Sequence, residues 1–221
     1  MIIVNNINVS LDTDFSDAIG ITAKALRIDK SLIKNAWIYR KSVDARKKSD
    51  VHFCISTISE CKGEEKILKR NKNAAPFCEK KYIWQTVESD VRPVVVGFGP
   101  SGMFAALALA RAGLRPLVIE RGGDVDSRTT DVQAFFEAGK LNSESNVQFG
   151  EGGAGTFSDG KLTARVKDLR GRKVLEALVE AGAPEDILYM AHPHVGTDLL
   201  RGIVKNIREK IISLGGEVRF N

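Results

Sequence analysis

Hydrophobic and polar positions follow two different periods along this chain. Ile2 to Leu11 alternates as a strand does, and Ala18, Ile21, Ala25 and Leu26 then recur at helical spacing behind two candidate caps, Thr13 and Asp14. An extended stretch from Asn35 to Ser42, a basic turn around Ala45–Asp50 and the alternating Val51, Phe53, Ile55 and Thr57 predict a hairpin. Glu64–Lys72 predicts a short helix and Tyr82–Val87 a last strand.

The resulting order, β-α-β-β-α-β, is that of a ferredoxin-like α+β plait. After Asp90 the chain turns rich in glycine and alanine, and the order changes to strand, helix, strand, long connection, helix, strand. Pro93–Val96 predicts a buried parallel strand, with the proline at its first position where no ladder donor is needed. Met103–Ala112 predicts a helix stopped by Gly113, and Leu117-Val118-Ile119 a second strand ending at Glu120. Leu200, Ile203, Val204, Ile207, Ile211 and Leu214 line one face of a helix that Thr197 would cap and Gly215 would end, ahead of a strand from Glu217. The composition change places a boundary at residues 88–92, giving two α/β domains over 1–88 and 91–221.

Composition adds exclusions. With 43% hydrophobic and 28% charged residues in 221, the chain can bury a core and is no disordered or collagen-like polymer. No apolar run approaches the ~20 residues of a membrane helix, and Met1–Asn5 lacks a basic, apolar leader, which sets the expectation of a cytoplasmic protein with no membrane partner. Three cysteines, Cys54, Cys61 and Cys78, form no Cys-x-x-Cys pair and read as free thiols; no metal site is supported. The net charge of +5 is modest, so nucleic acid is not an expected partner.

Chemistry concentrates in two glycine-rich stretches. Gly97-Phe98-Gly99-Pro100-Ser101-Gly102 is a G-x-G-x-x-G that follows a predicted strand and opens a predicted helix. In that setting Gly97 permits the tight turn, Gly99 lets backbone approach a pyrophosphate and Gly102 allows helix and strand to pack closely, while the helix N-terminus offers N–H groups to phosphate. Glu120, 18 residues after Gly102, stands where a carboxylate accepts hydrogen bonds from an adenosine ribose. An acidic residue there disfavours NADP without separating NAD from FAD. A tight turn in an ordinary α/β core is the plainer reading of the same glycines. The second stretch, Gln148–Lys161, supplies further side-chain-free amides able to approach an anion or a flat ring, with a surface loop as its plainer reading.

Gly97–Arg121 resembles the flavoprotein version of the dinucleotide fingerprint, and Ser145–Leu162 is similar to a signature of the uncharacterised FAD-dependent dehydrogenase family, glutathione-reductase-like Rossmann flavoproteins. Lys41–Arg46 and His194–Asp198 match the same pattern, so the resemblance spans essentially the whole chain. It implies an N-terminal plait followed by a partial FAD-binding Rossmann-type three-layer domain, with FAD across the Gly97–Gly102 turn (Gly97, Gly99, Pro100, Ser101, Gly102) and Glu120 on its ribose. Gln148, Gly152, Gly153, Ala154, Gly155 and Ser158 would lie against the pyrophosphate or flavin. Family members continue into a second Gly-Asp fingerprint that nothing here matches, which implies the N-terminal portion of a longer protein. The activity implied is hydride transfer between flavin and a small-molecule substrate or electron donor, with no residue singled out as acid or base.

Weaker candidates complete the inventory. Arg121 and Arg128 would approach the cofactor's phosphates unless they are merely exposed, and Asp159 and Lys161 leave the glycine-rich stretch where they would touch it or be solvated. His192-Pro193-His194 places two imidazoles in a loop, near a flavin or simply in solvent. The Lys41–Lys48 cluster suits an anionic partner or protects a hairpin edge. A rival reading makes the chain a nucleotide-binding module with a non-catalytic FAD, whose plait recruits a protein or RNA through Trp37 and Tyr39, although the aromatic-glycine RNA signature is absent. A flavin-free NAD reductase is the third.

Overall fold

The alternating N-terminal region and the longer apolar runs after residue 90 build two different sheets. The computed structural model describes residues 1–157, 160–162 and 168–221. Two compact units result: residues 1–80 with 188–193, and residues 81–187 with 194–221.

The first unit runs β1 (Ile2–Val9), α1 (Ala18–Leu26), a 3₁₀ turn (Lys30–Leu32), β2 (Ile33–Asp44), β3 (His52–Cys61), α2 (Glu64–Arg70) and β4 (Ala74–Pro76). The strands form one antiparallel sheet in the order β2-β3-β1-β4. Ile2, Val4, Leu26 and Ile67 make its core because alternate β1 side chains and one stripe of each helix meet there. The α1 cap is Asp17, which accepts from the Gly20 amide at 2.8 Å, rather than Thr13 or Asp14. The strand expected at Tyr82–Val87 does not form. Residues 78–93 hold no helix or strand, and the sheet closes instead with the three-residue β4, too short to carry a readable alternation. The Val87 amide donates to Ala112 O at 2.8 Å, inside the second unit, so the division falls after Lys80 and ahead of the composition change. Residues 188–193 return to the first unit, where Lys41 exchanges hydrogen bonds with Tyr189 and Ala191 at 2.8 Å each along the outer edge of β2.

The second unit runs β5 (Val94–Val96), α3 (Pro100–Arg111), β6 (Leu117–Glu120), α4 (Val125–Ala138), a 3₁₀ turn (Ala154–Phe157), α5 (Leu169–Glu180), a further 3₁₀ turn (Glu185–Leu188, its last residue in the first unit), α6 (Thr197–Ser213) and β7 (Glu217–Phe220). Its three strands are parallel in the order β5-β6-β7. Val95, Val118 and Val218 are register neighbours on one face, packed with residues of α3, α5 and α6 such as Met103, Leu178 and Ile207. The opposite face is uncovered: Val94 is 57% and Val96 83% exposed. The expected burial of β5 is therefore one-sided, since α3, α5 and α6 pack on one face and the described residues do not form the third layer. The predicted long connection also contains α4 and α5. The first of these shows no readable period because α4 buries Val125, Val132 and an arginine rather than a continuous apolar stripe. At α6 the cap position belongs to Gly196 rather than Thr197.

Candidate functional site

The fold demands two of the three glycines in the first stretch. Gly97 has φ +89°, and its amide donates to Ile119 O at 2.7 Å, so it turns the chain out of β5 while staying tied to β6. A Cβ at Gly102 would sit 1.9 Å from Gly97 O. Gly99 is different. Its backbone is extended (φ −70°, ψ −177°), and a Cβ there would meet nothing outside its chain neighbours closer than the Gly153 Cα at 3.9 Å. Pro100 follows at the first helical position, where a missing N–H costs nothing, and Ser101 is exposed beside it. The early amides of α3 have no intrahelical partner, so the helix opens towards the space in front of Gly99.

Glu120 is turned into this bend. Its carboxylate accepts from the Phe98 amide at 2.5 Å and from the Gly122 amide at 2.8 Å, and its residue is only 7% exposed. Two amides use two of the roughly four acceptor positions of a carboxylate.

The second stretch packs directly onto the first. The Gly152 amide donates to Phe98 O at 2.8 Å, and a Cβ on Gly153 would lie 3.0 Å from Pro100 Cδ and 3.3 Å from Gly99 Cα. Ala154 and Gly155 are exposed in the 3₁₀ turn that follows. Gly97, Gly99, Pro100, Ser101, Gly102, Glu120, Gly152, Gly153, Ala154 and Gly155 thus come to one place, while Ser158 and Asp159 lie outside the described residues.

Three charged side chains hold that loop, and two of them escaped the sequence reading. Arg128, expected at the cofactor's phosphates, is instead fully buried on α4, donating to the carbonyls of Asn146 (2.7 Å), Val147 (2.8 Å) and Glu151 (2.6 Å) with its guanidinium over the Phe157 ring. Burial pulls it down to about 10, against the opposing pull of Glu120 and Glu151, so it stays charged at neutral pH. Glu151, also fully buried, accepts through Oε2 from the Val125 amide at the start of α4 (2.7 Å) and from Arg208 of α6 (2.8 Å), and burial pushes its carboxyl above the usual range. Its Oε1 and the Ser145 hydroxyl have no partner among the described residues. The available signals were a lone charge inside a glycine run and, for Arg208, an arginine one turn after Val204 on the apolar face of α6.

The remaining candidates lie apart from this bend or at its rim. Arg121 is exposed, stacked on Phe149 with its guanidinium 4.3 Å from the ring centre and paired with Glu144 at 3.3 Å. Gln148 is an exposed loop residue whose amide donates to Asn146 Oδ1. Lys161 and His194 are exposed and joined by a backbone bridge, and His192 is exposed. Lys41 sits over the Phe15 and Phe53 rings at 3.9 and 4.3 Å, and Arg46 is paired with Asp44, which it holds at about 2. Trp37 and Tyr39 are about half exposed on β2. The three cysteines are unpaired, with burial raising the Cys61 thiol. Among the described residues no helix is long and apolar enough to cross a membrane, and no three metal-ligating side chains cluster.

Comparison with known proteins extends this picture. A family model described as a domain of unknown function (DUF8436) matches residues 1–58. A protein of Clostridium beijerinckii named only as an uncharacterized protein is 53% identical over 99% of this chain, which spans 42% of that relative and so less than half its length. Thiamine thiazole synthases of Saccharolobus islandicus and Saccharolobus solfataricus are 63% identical over 38 residues, 17% of this chain and 14% of theirs.

Proposed function

We propose that this chain is the dinucleotide-binding part of an FAD-dependent oxidoreductase acting on a small-molecule substrate or electron donor. One observation carries the reading. Gly99 is required neither by its backbone angles nor by its neighbours, yet it leaves bare main chain where the first amides of α3 open and Glu120 stands close by. Such a cradle suits a diphosphate, whose charge those amides stabilise. The parallel β5-β6-β7 order with α3 as the crossover supports a Rossmann-type half-domain, and the β2-β3-β1-β4 order supports a ferredoxin-like plait before it.

The residues present fit the cofactor: a Cβ at Gly99 would have no side-chain atom within 4 Å, its nearest neighbour being the Gly153 Cα at 3.9 Å. Flavin, when bound, supplies hydride transfer. The protein's own tasks are binding and orientation. The Gly97–Gly102 bend receives the diphosphate, Glu120 keeps acceptor capacity for ribose hydroxyls beyond its two amides, and Gly152–Gly155 offers a second side-chain-poor surface beside it. Arg121, exposed at the rim beside Glu144, is a cation that phosphate could recruit.

The test is a titration of the chain, and of the full-length Clostridium relative, with FAD, followed by flavin fluorescence and absorbance. A Gly99→Ser variant serves as the control. Serine is a good cap, so folding stability should change by less than about 0.5 kcal/mol while FAD affinity falls at least ~10-fold. Failure of both parents to retain flavin would sink the proposal, and NADH-dependent stabilisation of a colourless protein would replace it with the flavin-free reductase.

A further inference from the structure

The first unit contains a cleft that the dinucleotide reading does not use. It has a volume of about 750 Å³ and is lined by every residue from Val4 to Ser10. Successive strand residues point to opposite faces, so seven in a row line one cleft only when it runs along the strand's edge. The pairing agrees. β3 accompanies β1 from Ile2 to Val9 on one side, but β4 accompanies it on the other only from Ile2 to Val4, with one more hydrogen bond from the Asn5 amide to Asn73 O at 2.9 Å. From Asn6 onward that side of β1 has no ladder partner among the described residues. Across from it, Ile21, Lys24 and Ala25 contribute one face of α1, at spacings of three and four.

The side chains around this edge share one character. Lys24, Arg27, Arg70 and Lys72 line the cleft, no Asp or Glu does, and none of the four cations enters an ion pair among the described residues. Five of the six asparagines in residues 1–90 line it as well: Asn5, Asn6, Asn8, Asn71 and Asn73. The half-buried Ile7 and Val9 supply an apolar floor with Ile21, Ala25 and Leu26. Natural edges are usually guarded by lysine or proline on the strand itself. Here Asn5–Ser10 carries neither, its one guard being the register shift between Val4 and Ile7, and the cations stand on the opposite walls instead. They partly complement the C-terminal ends of α1 and α2, but that role leaves the strand edge between them open.

We propose that the open half of β1 takes an extended, acidic segment of a partner polypeptide as an added strand. About five residues would pair with Asn6–Ser10, alternate apolar side chains would enter the floor between β1 and α1, and carboxylates would meet Lys24, Arg27, Arg70 and Lys72. The sheet's other edge already pairs with a distant stretch of backbone, through the isolated bridge between Lys41 of β2 and Met190.

Panning the full chain against a displayed library of random nine-residue peptides tests this. Sequences alternating apolar residues with Asp or Glu should be enriched, and a synthetic copy should lose at least ~10-fold in affinity to the charge reversals Lys24→Glu and Arg70→Glu, both on exposed side chains. Methylating alternate backbone nitrogens of that peptide should abolish binding in one phase and spare it in the other, because only every second amide of an added strand faces β1. Hydrogen exchange should slow at residues 6–10 on binding. The proposal fails if no peptide is enriched, if the enriched peptide binds regardless of methylation phase, or if free phosphate or ATP competes for the cleft. Self-association of the chain through this edge would also overturn it.

Discussion

The two glycine-rich stretches meet at one bend but are held there by opposite means. Gly97–Gly102 lies between a strand and a helix, and its position follows from backbone alone: the Gly97 amide on Ile119 O and the start of α3. Residues 145–153 have no regular structure, and buried charges hold them, with Arg128 gathering three carbonyls and Glu151 tying the loop to the first amide of α4 and to Arg208. A turn built into βα geometry tolerates a side chain only where both its backbone angles and its close contacts allow one, as at Gly99 and not at Gly97 or Gly102. A loop without a ladder must find partners for its carbonyls elsewhere, and here α4 brings a guanidinium to them.

The contrast breaks most sharply at Arg128. Arg128→Ala should destabilise the second unit by about 3–5 kcal/mol, since one buried and two half-buried carbonyls lose their donor and Glu151 loses a neighbouring charge. Denaturant unfolding measures the size. Limited proteolysis should show cleavage opening within residues 140–157 while the βα turn at 97–102 stays protected, and equal exposure of both would remove the distinction. Next comes Gly152→Ala. Its Cβ would fall 2.1 Å from Thr156 Oγ1 and 3.0 Å from Val204 Cγ2 at φ +80°, so a loss of about 1–3 kcal/mol is expected against less than about 0.5 for Gly99→Ser.

The same contrast explains which features the sequence makes legible by itself. The βα turn was legible because its signal is local: valines, three glycines at fixed spacing, an alanine-rich helix and Glu120 all lie within 28 residues, from Pro93 to Glu120. The glycine richness of the second stretch was equally visible, but its supports were not, because Arg128 and Arg208 come from helices 23 and 57 residues away from Glu151. In the sequence Arg128 reads as a phosphate ligand or an exposed charge, and only its burial reveals that its donors are spent on carbonyls. In the first unit, β1, α1 and the β2–β3 hairpin followed from periodicity, whereas β4 has three residues, too few to show any period.

Glu151 sharpens the comparison through pH. Burial raises its carboxyl above the ordinary 4.5, with the Val125 amide and Arg208 pulling the other way. A carboxyl that binds its proton more tightly in the folded state than in the unfolded one contributes stability below 4.5 that is lost as pH rises through the raised folded value. Glu151→Gln keeps an acceptor for Val125 and removes the titration. Its thermal midpoint should fall less than the parent's between pH 4.5 and neutrality, and parallel curves for the two proteins would show that the loop is not held by a charge that burial penalises.

The smallest effect belongs to Arg121, an exposed basic residue at the rim of the site. Its stacking on Phe149 and its pair with Glu144 are both exposed, contacts of the kind that contribute little to folding, so Arg121→Ala should change unfolding free energy by less than about 0.5 kcal/mol. Its consequence should fall on ligand binding instead. If the bend holds a diphosphate, this substitution weakens FAD several-fold in low salt and progressively less as salt is added, because an exposed cation acts through a field that ions screen. Arg128→Ala weakens binding at every salt concentration, since it acts by loosening the loop. A salt-independent loss at Arg121 would mean that it, too, holds structure rather than meeting the ligand's charge.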